Sequence, residues 1–255
     1  MKVDGLLIDL DGVLYVEDEP VPGAAEAVAE LRERGLELRF VTNTTSRSRR
    51  QTLERLESLG FVLEPEQLIT PAALARNRCL EAGHERVALV MNEDVKEDFE
   101  GLTETDEGVE AVIMGDLGEA FGFEILNHAF RQVMDGAELI ALQKNRFWMT
   151  PDGLSLDAGP FVAAIEYATS QDALVVGKPA EAFFDLVLEG MGIGPEAAAM
   201  VGDDVETDVG GALNAGLAGI LVRTGKYREE FVQRSGVEPT DTVDSIADVP
   251  GLLGI

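Results

Sequence analysis

The chain of 255 residues holds one cysteine, two histidines and five lysines, and each scarcity excludes something. Cys79 cannot form an internal disulfide; on the helix-like segment 72–81 it reads as a small core or interface residue. Nothing near His84 or His128 supplies a zinc partner, so no zinc site is expected, and both read as surface or helix-packing residues. No apolar run approaches membrane-spanning length. Residues 1–8 lack the apolar core and small-residue site of a signal peptide, so a cytoplasmic location is expected. Basic charge is scarce against its opposite: 48 Asp and Glu face 20 Lys and Arg, and the net charge of −28 is spread along the chain. Such a field repels nucleic acid and anionic membranes, so neither is expected as a partner. It also repels a phosphate substrate unless a metal and a local lysine reverse the sign inside the site. Dispersed carboxylates with few lysines fit a high-salt cytoplasm, where repulsion is screened.

What is there is a 45% hydrophobic chain, long enough for one large domain or two modest ones. Strand and helix signals alternate from the start. Residues 3–8 are a short β-branched apolar run, read as a strand buried on both faces. Apolar residues at 24, 27, 28 and 31 follow helical spacing after Pro22-Gly23, and Gly35 closes that helix. Residues 36–41 read as the next strand and 47–59 as a helix stopped by Gly60. This βαβα series implies a doubly wound α/β fold, a parallel sheet with helices on both faces. From about residue 77 the rhythm is less regular, with strands expected at 86–91, 109–114, 138–141 and 146–149, a turn at Thr150-Pro151-Asp152-Gly153 and a helix over 123–134. It resumes with a strand at 174–176, a helix over 181–191, a strand at 198–201, a helix over 205–214 and a strand at 217–222. The core is therefore read as discontinuous, residues 1–76 and 173–255, with 77–172 inserted as a second domain.

Ligands of such sheets bind at the carboxyl ends of strands, and four strand ends carry reactive side chains. In Leu7-Ile8-Asp9-Leu10-Asp11-Gly12, Asp9 and Asp11 stand two apart where the first strand ends, and Gly12 lets the backbone turn sharply. A divalent cation and a phosphoryl group would use one carboxylate as ligand and nucleophile and the other as acid and base. A calcium loop is the rival reading; it fails because Val13 stands where a third oxygen ligand is needed and no Glu closes a twelve-residue loop. Thr42 and Asn43 follow the second strand, either as hydrogen-bond donors to phosphoryl oxygens or as helix-capping residues. Lys178, in Gly177-Lys178-Pro179 before a helix, reads as a lysine held at the site rim or as an ordinary surface lysine. The segment is not a nucleotide-triphosphatase loop, whose earlier glycine and following Ser or Thr are missing. Gly202-Asp203-Asp204-Val205-Glu206-Thr207-Asp208 opens another helix; capping explains one or two of its acids but not all four. A hard cation shared with Asp9 accounts for Asp203. Asp208, one helical turn on, could orient Lys178 from behind, with Asp204 beside it.

These four segments, in this order, resemble the motifs of the haloacid dehalogenase superfamily of phosphohydrolases. The insertion between the second and third resembles the α/β cap of the subgroup that includes nitrophenyl-phosphatase-like and sugar-phosphatase-like members. Phe40-Val41-Thr42-Asn43-Thr44-Thr45, Gly159-Pro160-Phe161 and Arg223-Thr224-Gly225-Lys226-Tyr227 extend the likeness along almost the whole chain. The resemblance implies a Rossmann-like core with an inserted smaller α/β cap. It implies a phosphatase in which Asp9 forms an aspartyl-phosphate, Asp11 is the acid and base, and Thr42, Asn43 and Lys178 hold the phosphoryl group. Mg2+ would be held by Asp9, the backbone carbonyl of Asp11 and Asp203. It further implies a small phosphorylated metabolite as substrate (an aryl or sugar phosphate, a phosphoamide or pyrophosphate) and a homodimer through the cap. Relatives with Ser in place of the second Asp would lack its proton transfer; this chain keeps Asp11. Lys144, Arg146 and Trp148 could meet the leaving group or could be an ordinary half-exposed strand. A phosphometabolite-binding protein and a phosphotransferase stay open as other uses of the same fold.

Overall fold

The computed structural model describes residues 2–150 and 153–254. The chain divides into two units: Met1–Thr42 with Arg50–Ile69 and Lys178–Ile255, and Asn43–Arg49 with Thr70–Gly177. In the first unit six parallel strands form one sheet: β1 (Gly5–Asp9), β2 (Glu37–Val41), β3 (Leu68–Ile69), β4 (Ala198–Gly202), β5 (Ala218–Val222) and β6 (Asp241–Val243). Their spatial order is β6-β5-β4-β1-β2-β3. The chain therefore leaves β1 toward one edge through β2 and β3, then returns to the other side of β1 for β4, β5 and β6. The reversal lies between β1 and β4, which pair with Ile8 beside Val201, and a parallel sheet opens a crevice at that place. Every residue of β1 and β4 is buried, as central strands covered on both faces must be. The helix Ala24–Glu33 buries Ala24, Ala27, Val28 and Leu31, the stripe its spacing predicted, in one core with Leu6, Ile8 and Phe40.

The second unit has its own parallel sheet of five strands, in the order Leu174–Val175, Glu138–Ala141, Ala111–Met114, Arg86–Val90 and Thr103–Glu104. An antiparallel ribbon pairs Phe147–Thr150 with Gly153–Leu156. Helices Phe123–Met134 and Gly159–Thr169 bury Ala129, Val133, Val162 and Ile165 in one core with Val112 and Leu139 of the sheet. Two expectations need correction. The strand at 174 was read as the core's rhythm resuming, but Leu174 and Val175 pair with Ile140 and Ala141 in the second unit's sheet. This unit therefore takes in Thr70–Gly177, with Asn43–Arg49, rather than 77–172. Its first helix, Pro71–Ala82, begins where the Thr70 side chain accepts a bond from Ala73 N–H, earlier than the apolar spacing alone suggested. The turn expected at Pro151 and Asp152 and the side chain of Trp148 lie outside the described residues. Among the described residues, no helix is long and apolar enough to cross a membrane.

Candidate active site

Asp9 is the last residue of β1, and the chain turns immediately after it: Val13 and Leu14 N–H both donate to the Leu10 carbonyl, 3.2 and 2.9 Å away. That coil overrides the strand alternation expected to point Asp9 and Asp11 the same way. Asp9 is buried and Asp11 is exposed. Gly12 follows with a φ of 84°, a conformation that suits glycine.

Lys178 was expected at a rim, yet only 2% of it is exposed. Its Nζ donates to Asp9 Oδ1 at 2.5 Å and to Asp208 Oδ1 at 2.7 Å. A buried ammonium is tolerable only with such partners. Burial pulls the lysine toward neutrality, but Asp208 and Asp9 outweigh it and hold it charged. Lys178 precedes the helix Glu181–Met191, and its peptide to Pro179 is cis; Pro179 itself lies before the helix rather than in its first turn.

Asp203 follows β4, on the other side of the reversal from Asp9. Its carboxyl is pushed up to about 6, mainly by burial and then by Asp208, while the Lys226 N–H opposes the shift. Burial likewise pushes Asp9 up, with Asp208 and Asp203 adding to it and Lys178 opposing. Oxygens of Asp9, Asp203 and Asp208 lie within 4.8 Å of one another. They are the buried carboxylates among the described residues. Three acids and one lysine in a small buried volume leave negative charge uncompensated. The donors are not equivalent, however. Asp208 spends Oδ1 on Lys178 and Oδ2 on the Asp204 N–H at 3.2 Å. Asp203 Oδ2 accepts from Lys226 N–H at 2.6 Å, whereas its Oδ1 is buried with no hydrogen-bond partner among the described residues. An orphaned carboxylate oxygen beside a second carboxylate fits a hard divalent cation such as Mg2+, which takes oxygen ligands. Asp204 is instead a cap: its Oδ1 accepts from Glu206 and Thr207 N–H at 3.1 and 3.0 Å. The helix expected over 205–214 is a π-type turn, Val205–Gly210, followed by a short α-helix, Gly211–Asn214. Its wide bond, Val209 N–H to Asp204 carbonyl at 3.3 Å, holds the turn that carries Asp208.

Thr42 is buried and directly follows Val41, the register partner of Asp9 across β1 and β2. Asn43 belongs to the second unit, where its Oδ1 stands 3.1 Å from the place a Cβ on Gly177 would take. Of the candidates for leaving-group contact, Lys144 is paired with Glu166 at 2.6 Å, and the Arg146 guanidinium lies 5.6 Å from the Phe147 ring centre. His84 pairs with Glu138 and His128 with Asp106, both at 3.0 Å, and Cys79 is buried with its thiol pushed up to about 11 by burial. Residues 224–226 went unremarked as site residues. Their position just past β5 was the signal that could have found them, since the other site segments also follow strands of this sheet.

Comparison with known proteins gives the family. The sequence model of the haloacid dehalogenase-like hydrolases matches residues 6–103, and a second HAD-hydrolase-like model matches residues 175–249. The chain is 46% identical over 240 residues to haloacid dehalogenase-like hydrolase domain-containing protein 2 of Pongo abelii, covering 94% of this chain and 92% of that protein. It is 35% identical to human phospholysine phosphohistidine inorganic pyrophosphate phosphatase, over 98% of this chain and 94% of that one. The p-nitrophenyl phosphatase of Archaeoglobus fulgidus superposes with a TM-score of 0.91 at 29% identity, covering 99% of this chain and 100% of that one. The chain thus belongs to the haloacid dehalogenase-like hydrolases and is an enzyme of their phosphatase group.

Proposed function

We propose that the enzyme hydrolyses a small phosphorylated metabolite with Mg2+ and through an aspartyl-phosphate on Asp9. The observation that carries this reading is the Lys178 ammonium between Asp9 and Asp208, together with an Asp203 Oδ1 that has no hydrogen-bond partner among the described residues. Lys178 fixes the Asp9 carboxylate for attack and opposes the burial that favours its protonated form. Asp9 attacks phosphorus in line, and the bond to the leaving oxygen breaks as Asp11 gives that oxygen a proton. Asp11, exposed where Asp9 is buried, then takes a proton from water, whose oxygen attacks phosphorus and releases phosphate and the Asp9 carboxylate. Lys178 and Thr42 offer donors to the phosphoryl oxygens as charge develops there; Asn43 is assigned the same part by its motif. Asp9, Asp203 and the Asp11 carbonyl would hold Mg2+, which when bound neutralises phosphoryl charge that the surrounding carboxylates would otherwise repel. Asp208 and Asp204 act through the residues they orient. The aryl, sugar, phosphoamide and pyrophosphate classes are the proposed substrates, the cytoplasm the proposed location, and a homodimer through the second unit the proposed assembly.

The test is phosphate release from a panel of aryl phosphates, sugar phosphates, phosphoamino acids, nucleotides and pyrophosphate, with Mg2+ or chelator, at low and molar salt. Mg2+-dependent release is expected, lost in Asp9→Asn. Asp11→Asn should permit at most slow formation of the phosphoenzyme. Full activity in both variants would overturn the mechanism, and Mg2+ binding without any release would favour a binding protein on this fold. Diversion of product to added acceptors would instead mark a phosphotransferase.

A further inference from the structure

We infer that the loop after β5, through Thr224, Gly225 and the backbone N–H of Lys226, is the device that aims Asp203 Oδ1 at the metal and ties it to the turn after Asp11. The argument begins with a carboxylate whose two oxygens are treated differently. Asp203 Oδ2 receives the Lys226 N–H at 2.6 Å, while Oδ1 is buried and receives nothing among the described residues. A single donor aimed at one oxygen leaves the other oriented and bare.

The walls of the carboxylate are glycines. A Cβ at Gly12 or at Gly225 would overlap Asp203 Oδ2, and both residues have positive φ, 84° and 56°. The same Cβ on Gly225 would also reach 2.5 Å from Gly12 Cα. The two backbones therefore close on Asp203 from two strand ends, and neither position has room for a side chain. Thr224 completes the arrangement, because its hydroxyl donates to the Gly12 carbonyl in a short hydrogen bond. The loop thus grips two things at once: the carboxylate of Asp203 and the Gly12 carbonyl, one peptide beyond the Asp11 carbonyl. The proposed function assigns the first to the metal as a ligand, and the second directly follows the Asp11 carbonyl assigned as another, so the inference rests on that reading. Groups that orient a metal ligand commonly change affinity by about 10- to 100-fold when removed.

The Lys226 side chain is not part of the device. Its ammonium lies 3.6 Å from Asp204 Oδ2 and is 70% exposed. Only the main-chain N–H of this residue touches Asp203. The distinction gives the test an internal control.

The experiment is calorimetric titration of the full chain with Mg2+ alone, without substrate. Gly225→Ala and Thr224→Val should each weaken Mg2+ binding by about 10- to 100-fold. Thr224→Ser keeps the hydroxyl and should restore wild-type affinity; Lys226→Ala keeps the N–H and should bind Mg2+ at least as tightly as wild type. Wild-type affinity in Thr224→Val and Gly225→Ala would overturn the inference while leaving the proposed function standing. So would an equal loss in Lys226→Ala, since the side chain and not the main-chain N–H alone would then be responsible. Absence of Mg2+ binding in the wild type would sink the metal reading itself, a separate result. Should Gly225→Ala fail to fold, the comparison of Thr224→Val with Thr224→Ser decides, because neither adds an atom against Asp203.

Discussion

Lys178 is the residue on which the candidate site turns, and its environment makes a sharp stability prediction. Removing it leaves two carboxylates in a buried volume without their counter-charge. Lys178→Met should therefore cost about 3–5 kcal/mol in chelator at about pH 8. The deficit should shrink toward about pH 5, and the sign follows from linkage. Burial already lifts Asp9 above its unfolded value, and the ammonium opposing that lift would be gone. An acid raised on folding contributes stability fully below its unfolded value, near 4, and loses it as pH rises through the folded value. Urea unfolding at the two pH values checks this. An equal deficit at both would mean that the lysine stem contributes packing and its charge nothing. The sequence showed that a lysine stood here but not that it was buried. Its partners lie 169 and 30 positions away, and only the folded sheet brings them to it.

At the scale of elements, local chemistry was legible where an element's own residues decide it. The helices Ala24–Glu33, Phe123–Met134 and Glu181–Met191 begin and end where periodicity and stop signals put them. Strand partnership was not legible in the same way: Leu174-Val175-Val176 is as apolar as a core strand, and nothing in three residues says which of two parallel sheets it joins. Nor was the π-type turn at Val205–Gly210, because it depends on what Asp204 and Asp208 must each hold. That turn predicts a division between neighbouring acids. Asp204→Asn keeps an oxygen for the Glu206 and Thr207 N–H groups, so it should retain stability and Mg2+ affinity. Asp204→Ala removes the cap and should lose about 1 kcal/mol. Asp203→Asn, by contrast, should lose metal binding. Thermal unfolding and Mg2+ titration of the three variants separate these roles; a loss of Mg2+ affinity in Asp204→Asn matching that in Asp203→Asn would make Asp204 a ligand rather than a cap.

For the whole molecule the governing fact is the net charge of −28. Among the described residues, burial claims only Asp9, Asp203 and Asp208 of the carboxylates, so nearly all the rest of the acidic charge is at least partly in contact with solvent. Surface pairs such as Arg50 with Glu54 and Lys96 with Glu104 offset little of it, since an exposed pair contributes about 0–1 kcal/mol. The remaining repulsion acts over a Debye length of about 30 Å at 0.01 M salt but only about 3 Å at 1 M. Folding brings these charges closer than the unfolded chain holds them, so dilute buffer should selectively destabilise the folded state. Melting temperature should rise steeply from millimolar to molar KCl, each kcal/mol of relieved repulsion adding about 2–4 °C. Sucrose, which strengthens burial without screening charge, should not reproduce the steep part of the rise. A melting temperature already at its plateau in millimolar salt would remove the case for a high-salt cytoplasm, because the surface charge would then impose no cost that salt must relieve.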